Sequence, residues 1–145
     1  MPRKVICERG SSMQMVLRVF IGLLGVLFIA IGFGFLTNPV LMGTNFGLSA
    51  NGPQGLASLR GDMTAFFWMS GGAFVVGAWY KNGLLLHITA ILMAIVFSAR
   101  ALSAALDGTY DGWYEPMVIE AITVIIALIG AKMFTQETQE TNASQ

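Results

Sequence analysis

Residues 84–106 read LLLHITAILMAIVFSARALSAAL, and this run decides the fold class. A helix of about 20 apolar residues crosses a hydrocarbon layer of about 30 Å, and this stretch is long enough. Three more stretches have that length or nearly so: residues 15–36, 56–80 and 116–134. The breakers between them agree. Asn38-Pro39 ends the first stretch, and the segment up to Gly55, with Gly43, Gly47, Gly52 and Pro53, reads as a loop. Asn82-Gly83 makes a very short turn, so the second and third stretches must be antiparallel neighbours. Asp107-Gly108 closes the third, and Pro116 suits the first turn of the fourth, where its missing N–H costs nothing.

Composition supports the same class. The chain has 145 residues, 55% hydrophobic and 11% charged, where a soluble domain carries about 25% charged residues. Mean hydropathy is +0.69. The expectation is an all-α, integral membrane four-helix bundle spanning 15–134. A cytoplasmic segment (1–14) precedes it and a disordered cytoplasmic tail (135–145) follows. The first stretch exceeds the usual apolar core of a signal peptide and lacks a small-x-small cleavage site, so it reads as a retained anchor.

Charge distribution sets the expected orientation. Arg3, Lys4, Arg9, Arg18, Lys81 and Lys132 all fall on one side of the four stretches. By the positive-inside rule that side is the cytoplasm, with both termini inside. The 38–55 loop has no charge, and the 107–115 loop has only acids. Trp79 and Tyr80 mark the inner interface, and Tyr110, Trp113 and Tyr114 the outer one, as in an aromatic belt. Lys and Arg are too few and scattered for a nucleic-acid surface.

Against this background, Arg60, Asp62, Arg100 and Glu120 stand inside apolar stretches. A charge in hydrocarbon costs roughly 2.5–3.5 kcal/mol on insertion scales, so such residues pair, line a wet cavity or do chemistry. Counted along their helices, all four fall roughly 6–10 Å below the outer surface. One shared layer is the economical reading. Arg100 with Glu120 or Asp62 would form a charge-assisted pair. Arg60 and Asp62, two residues apart, point to opposite sides of their helix. Asp62 is expected to be the more buried, on a stripe with Phe66, Met69 and Ala73. Arg60 shares a stripe with Met63, Thr64 and Phe67, free to snorkel or to meet an anion. The layer is either a closed clamp that fixes packing or the lining of a cavity below the 38–55 loop.

Other residues read as structural. His87 lies about 20 Å from Arg100 along the helix, too far to join the layer. Cys7 has no Cys or His neighbour at ligand spacing, so no disulfide, metal or haem site is expected, and no cofactor. Ala30 with Gly34, Ala73 with Gly77, Ala90 with Ala94, and Ala101 with Ala105 are small-xxx-small pairs that let helices approach. The Met and Phe residues read as apolar filling first and a pliable lipophilic pocket second.

Leu59-Arg60-Gly61-Asp62 resembles the Arg-x-Asp motif of a domain-of-unknown-function family of small bacterial four-helix membrane proteins, itself similar to DoxX-like proteins. Arg100, Ser103, Asp107-Gly108 and Glu120 add to the resemblance, which covers residues 16–131. It implies a four-helix bundle in the bacterial cytoplasmic (inner) membrane and singles out Arg60, Asp62, Arg100 and Glu120. It implies no activity.

The first functional expectation is binding of a lipid-like or other amphipathic molecule in the outer half. Arg60 or Arg100 would meet the head, and Phe66, Phe67, Trp68 and Met69 would line the apolar part. The alternatives are a small membrane enzyme with Asp62 and Glu120 as acid and base on a lipophilic substrate, or an accessory subunit of a membrane complex. The partners to expect are the bilayer, a lipophilic small molecule, and a second copy or a complex partner.

Overall fold

The structure, a computed structural model, describes the backbone of residues 3–143 and the side chains of residues 13–135. Among the described residues it is all helical: α1 (Arg3–Thr37), α2 (Pro39–Asn45), α3 (Gly52–Ser58), a π-helical turn (Leu59–Met63), α4 (Thr64–Trp79), α5 (Gly83–Leu106) and α6 (Tyr114–Ala143). Three helices contain runs long and apolar enough to cross a membrane: Met13–Thr37, Gly83–Leu106 and Tyr114–Thr135.

The stretch at 56–80 is built differently from the other three. α4 has 16 residues, which at about 1.5 Å per residue is short of the full hydrocarbon thickness. It does not stand alone. Ser58, Leu59, Met63 and Thr64 all keep right-handed helical backbone angles, so α3, the π-turn and α4 form one uninterrupted rod.

Local chemistry accounts for the helix ends. The residue before a proline is pushed out of the α region, so α1 stops ahead of Asn38-Pro39. Asn38 then caps α2, its Oδ1 accepting from the Leu41 N–H at 3.3 Å. α4 closes through the Asn82 N–H donating to Gly77 O at 2.9 Å, with Lys81 at φ 52. The Asn82 side chain then accepts from the N–H groups of Leu84 and Leu85 and starts α5. At the other end of the chain α6 runs to Ala143, where a disordered tail was expected from 135. No proline or glycine follows Gly130 in α6, and extending an existing helix needs no new nucleus. The N-terminal segment is likewise helical from Arg3. Expectations for residues 1–2 and 144–145, and for the Cys7 side chain, lie outside the described residues.

Packing groups the long helices into two pairs. The α1–α4 contact is the most extensive, α5–α6 is next, α4 meets α5, and α1 touches α6 more narrowly. At the α1–α4 crossing two glycines face each other. A Cβ on Gly71 would lie 2.6 Å from Gly25 O, and one on Gly25 would lie 2.7 Å from Gly71 O. Only residues without a side chain allow this approach. Of the small residues singled out in the sequence, Gly77 seats Leu86 and Ala90 is buried, but Ala30 is exposed. The close crossing uses glycines outside those pairs.

Along this seam runs a set of phenylalanines. Phe67 meets Phe28 edge-on at 5.7 Å, stacks on Phe35 at 5.7 Å and meets Phe46 at 5.7 Å, while Phe28 reaches Phe74 at 5.9 Å. Phe35 and Phe74 are fully buried. The α5–α6 pair buries Leu86 and Phe134, and the rest of its buried side chains are mostly smaller. Thr89, Ala90, Met93, Thr123, Ala127 and Ala131 are buried there, and Gly83 sits against Thr135 and the Ala131 carbonyl. The molecule thus has a Gly83 end, with Arg18, Ala78 and Ala131, and a Leu36 end, with Arg60 and the α5–α6 connection.

Candidate functional site

α5 places Arg100 six residues before its last residue, and α6 places Glu120 six residues after its first. Each therefore lies about 9 Å from its helix end. The two helices are antiparallel, so the side chains meet. Arg100 Nε donates to Glu120 Oε1 at 2.7 Å, the short distance of a charge-assisted bond. The partners differ in exposure: 37% of the Arg100 side chain is accessible and 11% of the Glu120 side chain.

The pair leaves bonding capacity unused. Glu120 Oε2 is buried with no hydrogen-bond partner. Arg100 uses one of its five N–H donors, and no bond is made by its terminal nitrogens among the described residues. Nearby hydroxyls are committed elsewhere. Thr123 Oγ1 donates to Ile119 O at 2.7 Å, Ser98 Oγ to Ala94 O at 2.8 Å, and Ser103 Oγ to Asp107 Oδ2 at 2.7 Å. An orphan acceptor in a buried setting is uncommon, because its desolvation costs about 1–3 kcal/mol.

Arg60 is placed apart from this pair. Its Nε donates to Leu36 O at 3.0 Å. Leu36 belongs to the last turn of α1, whose carbonyls have no partner within the helix. Arg60 therefore stands at the level where α1 ends, not a turn deeper. The π-turn that carries it packs on α1, α2, α3 and α4. At the opposite end Arg18 does the same for α4: its Nε donates to Ala78 O at 3.0 Å and its Nη2 to Trp79 O at 3.1 Å. Each helix of the antiparallel pair thus supplies an arginine to the C-terminus of the other, where the helix dipole favours a cation. In the sequence Arg18 reads only as one more positive charge on the inner side. Its cap depends on helix pairing, which a local reading does not contain.

Asp62 corrects the expectation of burial. It is exposed and makes no hydrogen bond or ion pair among the described residues. The buried face of α4 is Thr64, Phe67, Ser70, Gly71 and Phe74, so the stripe of Phe66, Met69 and Ala73 is the wrong one. α4 has no charged residue and is apolar on every side, so hydrophobicity could not choose between the two stripes. Asp62 and Glu120 are not joined, and Glu120 is engaged by Arg100 alone.

The four residues expected to line an apolar pocket point in different directions around α4, although the Phe66 and Phe67 rings meet edge-on at 5.2 Å. Phe67 is in the aromatic core, Phe66 is half-buried, Trp68 leans on Phe33 at 4.9 Å, and Met69 is 73% exposed. Consecutive residues step about 100° around a helix, so four in a row encircle it. The exposed rings of Trp79 and Tyr80 stand at the Gly83 end, and those of Tyr110, Trp113 and Tyr114 stand at the other. His87 is exposed, with its Nδ1 3.0 Å from Gly83 O in its own helix, and takes no part in the site. A groove of about 290 Å³ along Met15, Val16, Val19, Phe20 and Leu23 is wholly apolar and lies at the Gly83 end, away from the ion pair.

No protein-family model matches the chain, and neither a curated protein nor a solved structure matches it.

Proposed function

We propose that the chain is an integral membrane four-helix bundle of the small bacterial family similar to DoxX-like proteins, and that it binds a lipid-like or other amphipathic molecule. In this reading the α3–π–α4 rod is the fourth span and the membrane is the cytoplasmic one. Both termini face the cytoplasm, and the Leu36 end faces outward. Arg100 and Glu120 receive the polar head, with Arg60 close to the same interface.

One observation carries the reading: an ion pair within an apolar helix pair that leaves a buried carboxylate oxygen and the arginine's terminal nitrogens unfilled. A clamp serving only to hold α5 to α6 would gain by using those groups, since buried polar atoms are normally satisfied. The test is a lipid analysis of protein purified from native membranes, wild type against Arg100→Ala. Selective enrichment lost in the variant is expected, and identical profiles would sink the reading.

A further inference from the structure

We infer that the head received at the Arg100–Glu120 pair is a zwitterion in which a primary ammonium group lies beside a phosphate. The inference rests on the amphipathic-ligand reading above and adds the chemistry of the head.

Charge balance is the first argument. Arg100 and Glu120 together are neutral. In a low-dielectric setting a net anion or a net cation on this pair would leave one charge uncompensated, which is costly. A head with one charge of each sign leaves none. The unpaired groups narrow the head further. The Arg100 terminal nitrogens are donors only, in a fork that matches two phosphate oxygens. Glu120 Oε2 is an acceptor without a donor and is closed off from the surface, so the carboxylate must turn toward the exposed side of Arg100 to meet the head, and that half of the head must carry an N–H or O–H. A quaternary ammonium has none, and a bare phosphate diester has none. A primary ammonium has three. No nearby hydroxyl competes for Oε2, because those of Ser98, Ser103 and Thr123 already donate elsewhere. The depth of the pair, about 9 Å inside the helix ends, is within reach of a lipid head in the interfacial zone.

The chemistry is shared by a phosphatidylethanolamine-type lipid and by free glycerophosphoethanolamine, whose phosphodiester carries the same single charge, and the experiment separates them. Detergent-purified full-length protein is titrated with short-chain phosphatidylethanolamine, phosphatidylcholine and phosphatidylglycerol of the same acyl length, and with soluble glycerophosphoethanolamine. Binding is read by native mass spectrometry and by the shift in melting temperature. The ethanolamine lipid should bind at least about tenfold more tightly than either of the others. Soluble glycerophosphoethanolamine reproducing the whole shift would keep the zwitterion and assign it to a soluble source. Glu120→Gln gives the pair a net positive charge, so its preference should move to the glycerol lipid. Arg100→Lys should keep the ethanolamine preference with weaker binding. If Glu120→Gln does not fold, the wild-type series still decides.

Choline or glycerol lipid binding wild type as well as ethanolamine lipid would overturn the inference while leaving the amphipathic reading intact, provided that Arg100→Ala abolishes binding. No binding of any probe, or binding indifferent to Arg100→Ala, would overturn both.

Discussion

The α1–α4 seam and the α5–α6 seam both hold arginine against apolar helix, and they do so in opposite ways. In α1–α4 the arginines sit at the two extremities and finish the partner helix, so the seam between them is left to glycine and phenylalanine. In α5–α6 the arginine is within the helix, needs a carboxylate, and leaves that carboxylate half-used. The first arrangement is complete in itself. The second leaves a buried acceptor without a donor, and the proposed ligand rests on that difference.

The comparison breaks most visibly at the glycine crossing. Gly71→Val puts side-chain atoms where the Gly25 carbonyl lies, and a loss on the order of 3 kcal/mol or outright misfolding is expected. Gly72→Ala next to it meets open space and should change the detergent melting curve little. Comparable in size is Phe67→Ala, expected to cost about 3 kcal/mol by removing a ring shared with Phe28, Phe35 and Phe46. Met69→Ala, two positions along on the exposed face, should stay within about 0.5 kcal/mol.

A smaller effect is expected at the second seam. Glu120→Ala strands Arg100, but the arginine is one-third exposed, so on the order of 2 kcal/mol is expected, between the values for surface and buried pairs. In a double-mutant cycle, adding Arg100→Gln should recover much of that loss. Full additivity would show that the pair does not couple. The smallest effects should fall at the π-turn: Arg60→Gln about 1 kcal/mol through the lost cap on α1, and Asp62→Asn close to zero. A large loss of stability in Asp62→Asn would mean that Asp62 has a partner this arrangement does not contain.

How much of this was legible in the sequence depended on whether the signal was local. Asn38-Pro39, Asn82-Gly83 and Asp107-Gly108 set helix limits by their own backbone preferences, and the structure ends helices there. Arg100 meeting Glu120 followed from depth counted along two antiparallel helices. Asp62 did not, because α4, which follows it, is apolar on every side, and a π-turn has no dependable sequence mark. The common layer of four charges divided for the same reason. Arg60 answers to the end of α1, and nothing in Leu59-Arg60-Gly61-Asp62 names Leu36 as its acceptor.

The order in which the chain is made gives the two kinds of arginine different histories. When Arg60 emerges, α1 has already been synthesised, so the Leu36 carbonyl is available at once. Arg100 has no such predecessor. Its carboxylate follows 20 residues later, in the last helix. A nascent chain ending at Leu106 therefore carries an unanswered charge in an apolar helix, and the arrival of α6 removes it. In a pulse–chase experiment, chains truncated at Leu106 should be degraded faster than the full chain, and Arg100→Leu should slow the clearance of the truncated form.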